Sequence, residues 1–199
     1  VTAPVAVAVT GGIGAGKSTV LASFARQGAA VVSSDEIVHE LLRRDDIRAA
    51  VTARFGNGVV SPGGELDRGA IGSVVFADPE ALVWLESLLH PLVSAEYLHW
   101  REQLAALPQP PRVCVTEVPL LYEAGSERYF DRVVVVTAPD ELRRSRSAAA
   151  VSEREQRLLP DEEKAARADF VYVNSGALAE LDAFVASVLA ELSGEVRLS

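Results

Sequence analysis

A parallel, doubly wound α/β sheet is the fold class this chain predicts, and three observations predict it. Five short valine-rich runs recur at 5–9, 30–34, 112–117, 132–137 and 170–174, most of them without polar/apolar alternation. Strands buried on both faces read this way. Each gap is long enough for the crossover helix that parallel neighbours require. Between the first run and the first helical stretch stands Gly11-Gly-Ile-Gly-Ala-Gly-Lys17-Ser18, a complete Gly-x-x-x-x-Gly-Lys-Ser phosphate loop, in the strand–loop–helix context that the motif needs.

The elements follow in order. Val20, Leu21 and Phe24 give 19–26 a helical spacing, and Ile37, Val38, Leu41 and Leu42 do the same for 36–44. Asp78-Pro79 is a helix cap followed by proline at the first helical position; the helix it opens carries Leu82, Leu85, Leu88 and Leu89. His90-Pro91 is expected to interrupt that helix, with a second one running from 92 toward 107. Pro139 starts a helix after the fourth strand, and 178–192 is an amphipathic closing helix. About 77 residues separate the second strand from the third, far more than one crossover needs. The stretch 47–107 is therefore expected to be an inserted helical subdomain, lying across from the phosphate loop if crossovers are right-handed. The whole of 1–199 then reads as one domain: a core of 1–46 and 108–199, the helical insertion at about 47–107, and a short lid at about 143–167.

Composition sets limits. A chain of 199 residues with 49% hydrophobic and 24% charged residues suits one soluble α/β domain with a full core. The single cysteine, Cys114, lies in an apolar run and reads as a core thiol, which fits a reducing cytoplasm. A basic leader and an apolar run near 18 residues are both lacking, so neither export nor a membrane partner is expected. The net charge of −9 argues against a nucleic-acid partner, because nonspecific phosphate contacts need basic surface. Against that acidity, 143–167 holds seven basic residues, Arg143, Arg144, Arg146, Arg154, Arg157, Lys164 and Arg167, against five acidic ones. Such a segment is either a solvated helix face, the commoner case, or the phosphate clamp of a kinase.

The loop describes a device. Its glycines let successive backbone N–H groups curl around a polyphosphate. Lys17 brings a point charge to the β/γ-phosphates, and Ser18 offers a hydroxyl to Mg²⁺. The helix beginning there turns its positive end to the same anion. Gly12, Ile13, Gly14, Ala15, Gly16, Lys17, Ser18 and Thr19 are thus the expected ATP and phosphate contacts. Arginine supplies 17 of the 19 basic residues, yet the loop holds a lysine. A switch GTPase is excluded: its Asn-Lys-x-Asp and Asp-x-x-Gly motifs are both missing. Transporter-type ATPases need a signature loop and a longer chain. A small-molecule kinase remains.

Two carboxylates stand at strand ends. Asp35 ends the second strand and starts a helix, so a cap bonding the N–H of Val38 and a catalytic base are both open readings. Glu117 ends the third strand, where phosphate-loop enzymes often carry an acid that orients Mg²⁺-bound water. His90 is a lone histidine beside a proline, with no metal partner at ligand spacing.

Further motifs narrow the class. They are Val9-Thr-Gly-Gly-Ile-Gly-Ala-Gly-Lys-Ser-Thr-Val20, Ser34-Asp-Glu-Ile37, Phe55-Gly56, Gly64-Glu-Leu-Asp-Arg68, Leu85-Glu-Ser-Leu-Leu-His-Pro-Leu92, Pro119-Leu-Leu-Tyr-Glu123 and Ala168-Asp-Phe-Val-Tyr-Val-Asn-Ser-Gly176. Along nearly its whole length the sequence resembles the dephospho-CoA kinase family, phosphate-loop kinases of the last step of coenzyme A synthesis. The resemblance implies transfer of the ATP γ-phosphoryl to the ribose 3′-hydroxyl of dephospho-CoA, with Mg²⁺ and ATP as co-substrate. It implies Lys17, Asp35 as general base and Arg146 as the lid arginine among the catalytic groups, with Arg143 and Arg144 expected to matter much less. Thr10, Asp35, His90, Pro119 and Leu120 are the acceptor-side residues it implies. Asn174 and Gly176 follow the last strand, where kinases of this shape wrap adenine with backbone. Either Arg154 or Arg157 would serve as a second lid arginine. The expected form is a cytoplasmic monomer. Two other readings are weighed beside it: a same-fold kinase of another small hydroxylated acceptor (a nucleotide or sugar acid), and a nucleotide-binding regulator without turnover.

Overall fold

Alternate valines of the strands serve two different cores. The computed structural model describes residues 3–146 and 158–195, apart from the side chains of 144–146 and 195. The strands are β1 (Val5–Gly11), β2 (Ala30–Ser33), β3 (Val113–Glu117), β4 (Arg132–Thr137) and β5 (Phe170–Val173). They form one sheet in the order β2-β3-β1-β4-β5, every pair parallel. The expected strands are thus present, within two residues at either end. The described helices are α1 (Lys17–Arg26), α2 (Ser34–Arg43), α3 (Asp45–Phe55), α4 (Arg68–Ala77), α5 (Pro79–Ala105), α6 (Asp140–Arg146), α7 (Asp161–Ala166) and α8 (Leu178–Glu195).

Val134 and Val136 of β4 join Val7 and Val9 of β1 in a core sealed by Val20, Leu21 and Phe24 of α1 and by Leu181, Val185, Val188 and Leu192 of α8. The α8 residues recur at four, three and four positions, one helix face. Val133 and Val135, between them on β4, turn to the opposite core with Ala8, Val118, Leu121 and Tyr122. A strand read as a continuous apolar run is therefore two period-2 faces, both covered. Burying each such side chain contributes roughly 1.5–3 kcal/mol. Cys114 is 1% exposed in this sheet, and burial pushes its thiol up to about 11, as a core thiol requires.

The contacts divide the chain into two compact units, Val1–Ser33 with His99–Ser199, and Ser34–Leu98. The sheet lies wholly in the first. In the second, α2 packs on α3, and a 3-10 turn at Asn57–Val59 contacts both α3 and α4. Its buried apolar residues include Leu41, Ile47, Val51, Val59, Ile71 and Val75. The glycine-rich start of α4 is held as a helix by Asp67, whose carboxylate accepts from the N–H groups of Gly69 (2.8 Å) and Ala70 (3.1 Å).

One expectation is corrected. His90-Pro91 does not interrupt the helix: α5 runs unbroken over 27 residues with Pro91 inside it. Proline removes one backbone donor and crowds the preceding turn, but buried Ala81, Leu89, Val93 and Tyr97 anchor the helix on both sides of it. Tertiary burial outweighs the local break. The start is as expected: Asp78 Oδ1 accepts from the Glu80 N–H at 2.9 Å.

Candidate active site

In the sheet unit, strand order reverses at β1, which is flanked by β3 and β4, so the phosphate loop leaves the sheet at its switch point, where ligands of such sheets bind. Gly11 pairs with Val136 of β4, and a Cβ on it would fall 2.0 Å from the Val136 carbonyl oxygen. Only glycine fits that approach. Gly16, at φ 94°, caps α1 in the left-handed region, which turns the chain from loop into helix.

Side chains hold the loop from several directions. Lys17 Nζ donates to the carbonyls of Gly11 (3.0 Å) and Gly12 (2.9 Å). Asn174, buried just after β5, donates from Nδ2 to the Ala15 carbonyl at 2.8 Å. Its Oδ1 accepts from the Gly176 N–H at 3.0 Å, and its own N–H donates to the Thr137 carbonyl at 2.7 Å. One amide side chain thus ties the turn after β5 to the loop. Thr10 is fully buried beside the loop, and its hydroxyl donates to the Pro119 carbonyl at 3.3 Å, so two of the expected acceptor-side residues touch. Leu120 follows in the same turn, half-buried. Glu117 is buried at the end of β3 and pairs in register with Val9 of β1, while Ser18 and Thr19 are exposed in the first turn of α1.

Among the described basic residues of 143–167, Arg143 and Lys164 are not solvated. Arg143 of α6 has a side chain only 15% exposed. Its Nε donates to the Ile13 carbonyl at 3.1 Å, and its Nη1 donates to Asp161 Oδ2 at 3.3 Å. Lys164 of α7 is fully buried, its Nζ 2.9 Å from Glu123 Oε1, an ion pair not aligned as a hydrogen bond. The same Glu123 oxygen accepts from the Leu159 N–H at 3.0 Å. Arg167 pairs with Glu127 at 2.7 Å and lies 4.1 Å from the Tyr122 ring centre; burial raises the Tyr122 phenol above its ordinary range.

Arg146 closes α6 with its side chain outside the described residues, and Arg154 and Arg157 lie outside them altogether. Asp35 and His90 belong to the helical unit. Asp35 is the second residue of α2, exposed, in a first turn that begins directly at the end of β2. It therefore stands inside the helix rather than ahead of it. His90 is half-buried in the middle of α5. Arg143 and Lys164 were named from the sequence only as members of the basic segment, Arg143 as one expected to matter less than Arg146; their contacts with Ile13, Asp161 and Glu123 were not anticipated. One signal pointed to Lys164: it is the other of only two lysines in the chain.

The donor set suits a magnesium ion carried by a nucleotide. Among the described residues no group of three or more His, Cys, Asp or Glu side chains gathers for a metal. A phosphate-bound Mg²⁺ asks for only one or two protein oxygens, which Ser18 can supply directly and Glu117 through a bound water.

Comparison with known proteins places this geometry in context. A family model described as dephospho-CoA kinase matches residues 5–180. A dephospho-CoA kinase of Anaeromyxobacter dehalogenans is 41% identical over 196 residues, covering 94% of this chain and 92% of the relative. A solved structure from Thermus thermophilus is 36% identical with a TM-score of 0.77, covering 96% of this chain and 99% of its own. The solved dephospho-CoA kinase of Campylobacter jejuni is 26% identical with a TM-score of 0.71, covering 96% and 98%.

Proposed function

We propose, since this chain belongs to the dephospho-CoA kinase family, that it transfers the terminal phosphoryl group of ATP to the ribose 3′-hydroxyl of dephospho-CoA. The observation that carries this reading is Lys17, bonded within a complete phosphate loop inside the matched region.

In this reading the loop from Gly11 to Thr19 binds and orients the ATP phosphates, and Lys17 exchanges its loop carbonyls for phosphate oxygens. The acceptor O3′ forms the new bond to the γ-phosphorus while the bond to the β–γ bridging oxygen breaks, leaving ADP. Asp35 takes the proton that O3′ sheds. The carboxylate needs no covalent step, because phosphoryl transfer is driven mainly by positioning and charge neutralisation. Arg146 adds a guanidinium to the equatorial oxygens. Ser18 and, by way of water, Glu117 would hold magnesium, which would supply further neutralisation of the phosphates. Thr10, His90, Pro119 and Leu120 contact the acceptor, with 47–107 as the acceptor subdomain and 143–167 as the lid. The backbone of 174–176 wraps the adenine. The enzyme works as a cytoplasmic monomer in this reading.

The test is coenzyme A formation by the purified chain from dephospho-CoA and Mg-ATP. Wild type is expected to turn over, and Lys17→Ala to lose at least ~10²-fold in rate with the fold intact. Near-normal activity of that variant would remove the loop from the reaction. Turnover with another hydroxylated acceptor in place of dephospho-CoA would overturn the substrate.

A further inference from the structure

The phosphate-loop pattern demands glycine only at 11 and 16, yet this loop also has Gly12 and Gly14. A Cβ on Gly12 would lie 2.8 and 2.9 Å from the carboxylate oxygens of Asp161 and 3.1 Å from Arg143 Nη2. At Gly14 it would lie 3.0 Å from the Arg143 carbonyl oxygen. The extra glycines therefore admit two residues, 18 positions apart, against the middle of the loop. The arginine is not a solvated one: it is bonded at once to Ile13 and to Asp161 and has little solvent left.

The bond to Ile13 has a consequence for its neighbour. In a trans peptide the C=O and the following N–H point in opposite directions. Holding the Ile13 carbonyl toward Arg143 turns the Gly14 N–H to the other side of the loop. The carbonyls on either side already have side-chain donors, Lys17 for Gly11 and Gly12 and Asn174 for Ala15. Arg143 supplies the donor for the Ile13 carbonyl, one of the two between them.

We infer that Arg143, held by Asp161, is a positioning residue of the phosphate loop: it fixes the Ile13–Gly14 peptide so that the Gly14 N–H is presented to the phosphates shared by ATP and ADP. The inference rests on reading residues 11–18 as the nucleotide's phosphate loop. It differs from a lid arginine, which acts on the transferring group alone.

Titration calorimetry of the full chain with ATP and with ADP tests it, on wild type, Arg143→Ala, Arg143→Lys and Asp161→Asn. Arg143→Ala is expected to raise both Kd values by a common factor of about ten, with little change in Tm. Arg143→Lys should recover part of the loss, because an ammonium donates but lacks the fork that reaches two acceptors. Asp161→Asn, which keeps shape and removes the charge, should raise both by about threefold; it decides the matter alone if Arg143→Ala does not fold. A loss confined to ATP would make Arg143 a direct γ-phosphoryl contact. Unchanged binding would make it a bystander, and tighter binding would make the pair a plug that nucleotide displaces. Each of these three overturns the inference. Coenzyme A formation plays no part in the measurement, so a wild type that binds nucleotide without making coenzyme A sinks the proposed function alone. A wild type that binds neither nucleotide ends both.

Discussion

The side-chain amide of Asn174 donates to the backbone carbonyl of Ala15 at 2.8 Å, across 159 residues of sequence and out of contact with solvent. The bond joins the turn after the edge strand to the middle of the phosphate loop. Asn174→Ala would leave the buried Ala15 carbonyl unpaired, a loss of about 1–3 kcal/mol. Both stability and nucleotide affinity should fall, by several degrees in Tm and about tenfold in Kd for ADP. Asn174→Asp, which keeps the acceptor for Gly176 and loses the donor for Ala15, should reproduce the affinity loss. Thermal melts and nucleotide titration of the two variants measure it.

Asp35 sits in the first turn of α2 rather than at its cap. Asp35→Asn preserves shape and removes the proton acceptor, so kcat should fall by about 10²–10⁴-fold with ATP affinity nearly unchanged. A drop in Tm with an unchanged rate per folded molecule would instead make the carboxylate a structural partner of the helix dipole.

Lys164 and Glu123 form a buried ion pair between α7 and the turn after β3. Removing one partner of such a pair typically costs 3–5 kcal/mol. The Glu123 side chain is 17% exposed and keeps some hydration, so Lys164→Ala should destabilise by about 3 kcal/mol, the lower end. The apolar double variant Lys164→Met with Glu123→Leu should recover most of that. Urea unfolding of Lys164→Met, Glu123→Leu and the double closes the cycle.

Ser23 and Arg26 of α1 both donate to Asp182 Oδ1 of α8, at 2.5 and 2.7 Å. These two bonds, Ser23 first, hold the Asp182 carboxyl below its usual range. A lowered folded-state value stabilises the fold above the unfolded value of about 3.9, and that contribution is lost as pH falls. Wild type should therefore melt above Asp182→Asn at pH 7, and the gap should close below about pH 4. A gap that is constant from pH 7 to pH 3 would rule the ionised carboxylate out as its source.

Much of this molecule was legible in its residues. The five strands, the loop between β1 and α1, the capped start of α5 and the closing α8 all follow from local composition and spacing, because each records a requirement met within a few residues. Valine runs need cover on both faces. Asp78 caps the residue two positions on, and the glycines and Lys17 make a loop whatever lies beyond. Local signals misled at Pro91: a helix-breaking residue says nothing of the packing on either side, and buried Leu89 and Val93 carry α5 through. The partners of the loop were beyond reach altogether. Nothing near Asn174 shows that it meets Ala15, nor does anything near Arg143 show that it meets Ile13 while Arg146, three residues on, closes the same helix. Lys164 reads as one more charge in an acidic helix until its partner, 41 residues earlier, is in place. Local composition carries the parallel sheet, its phosphate loop and the chemistry that loop serves. Which side chains hold the loop is settled by packing, since a bond between residues far apart in the chain depends on where the sheet and its helices bring them, and not on the neighbours of either one.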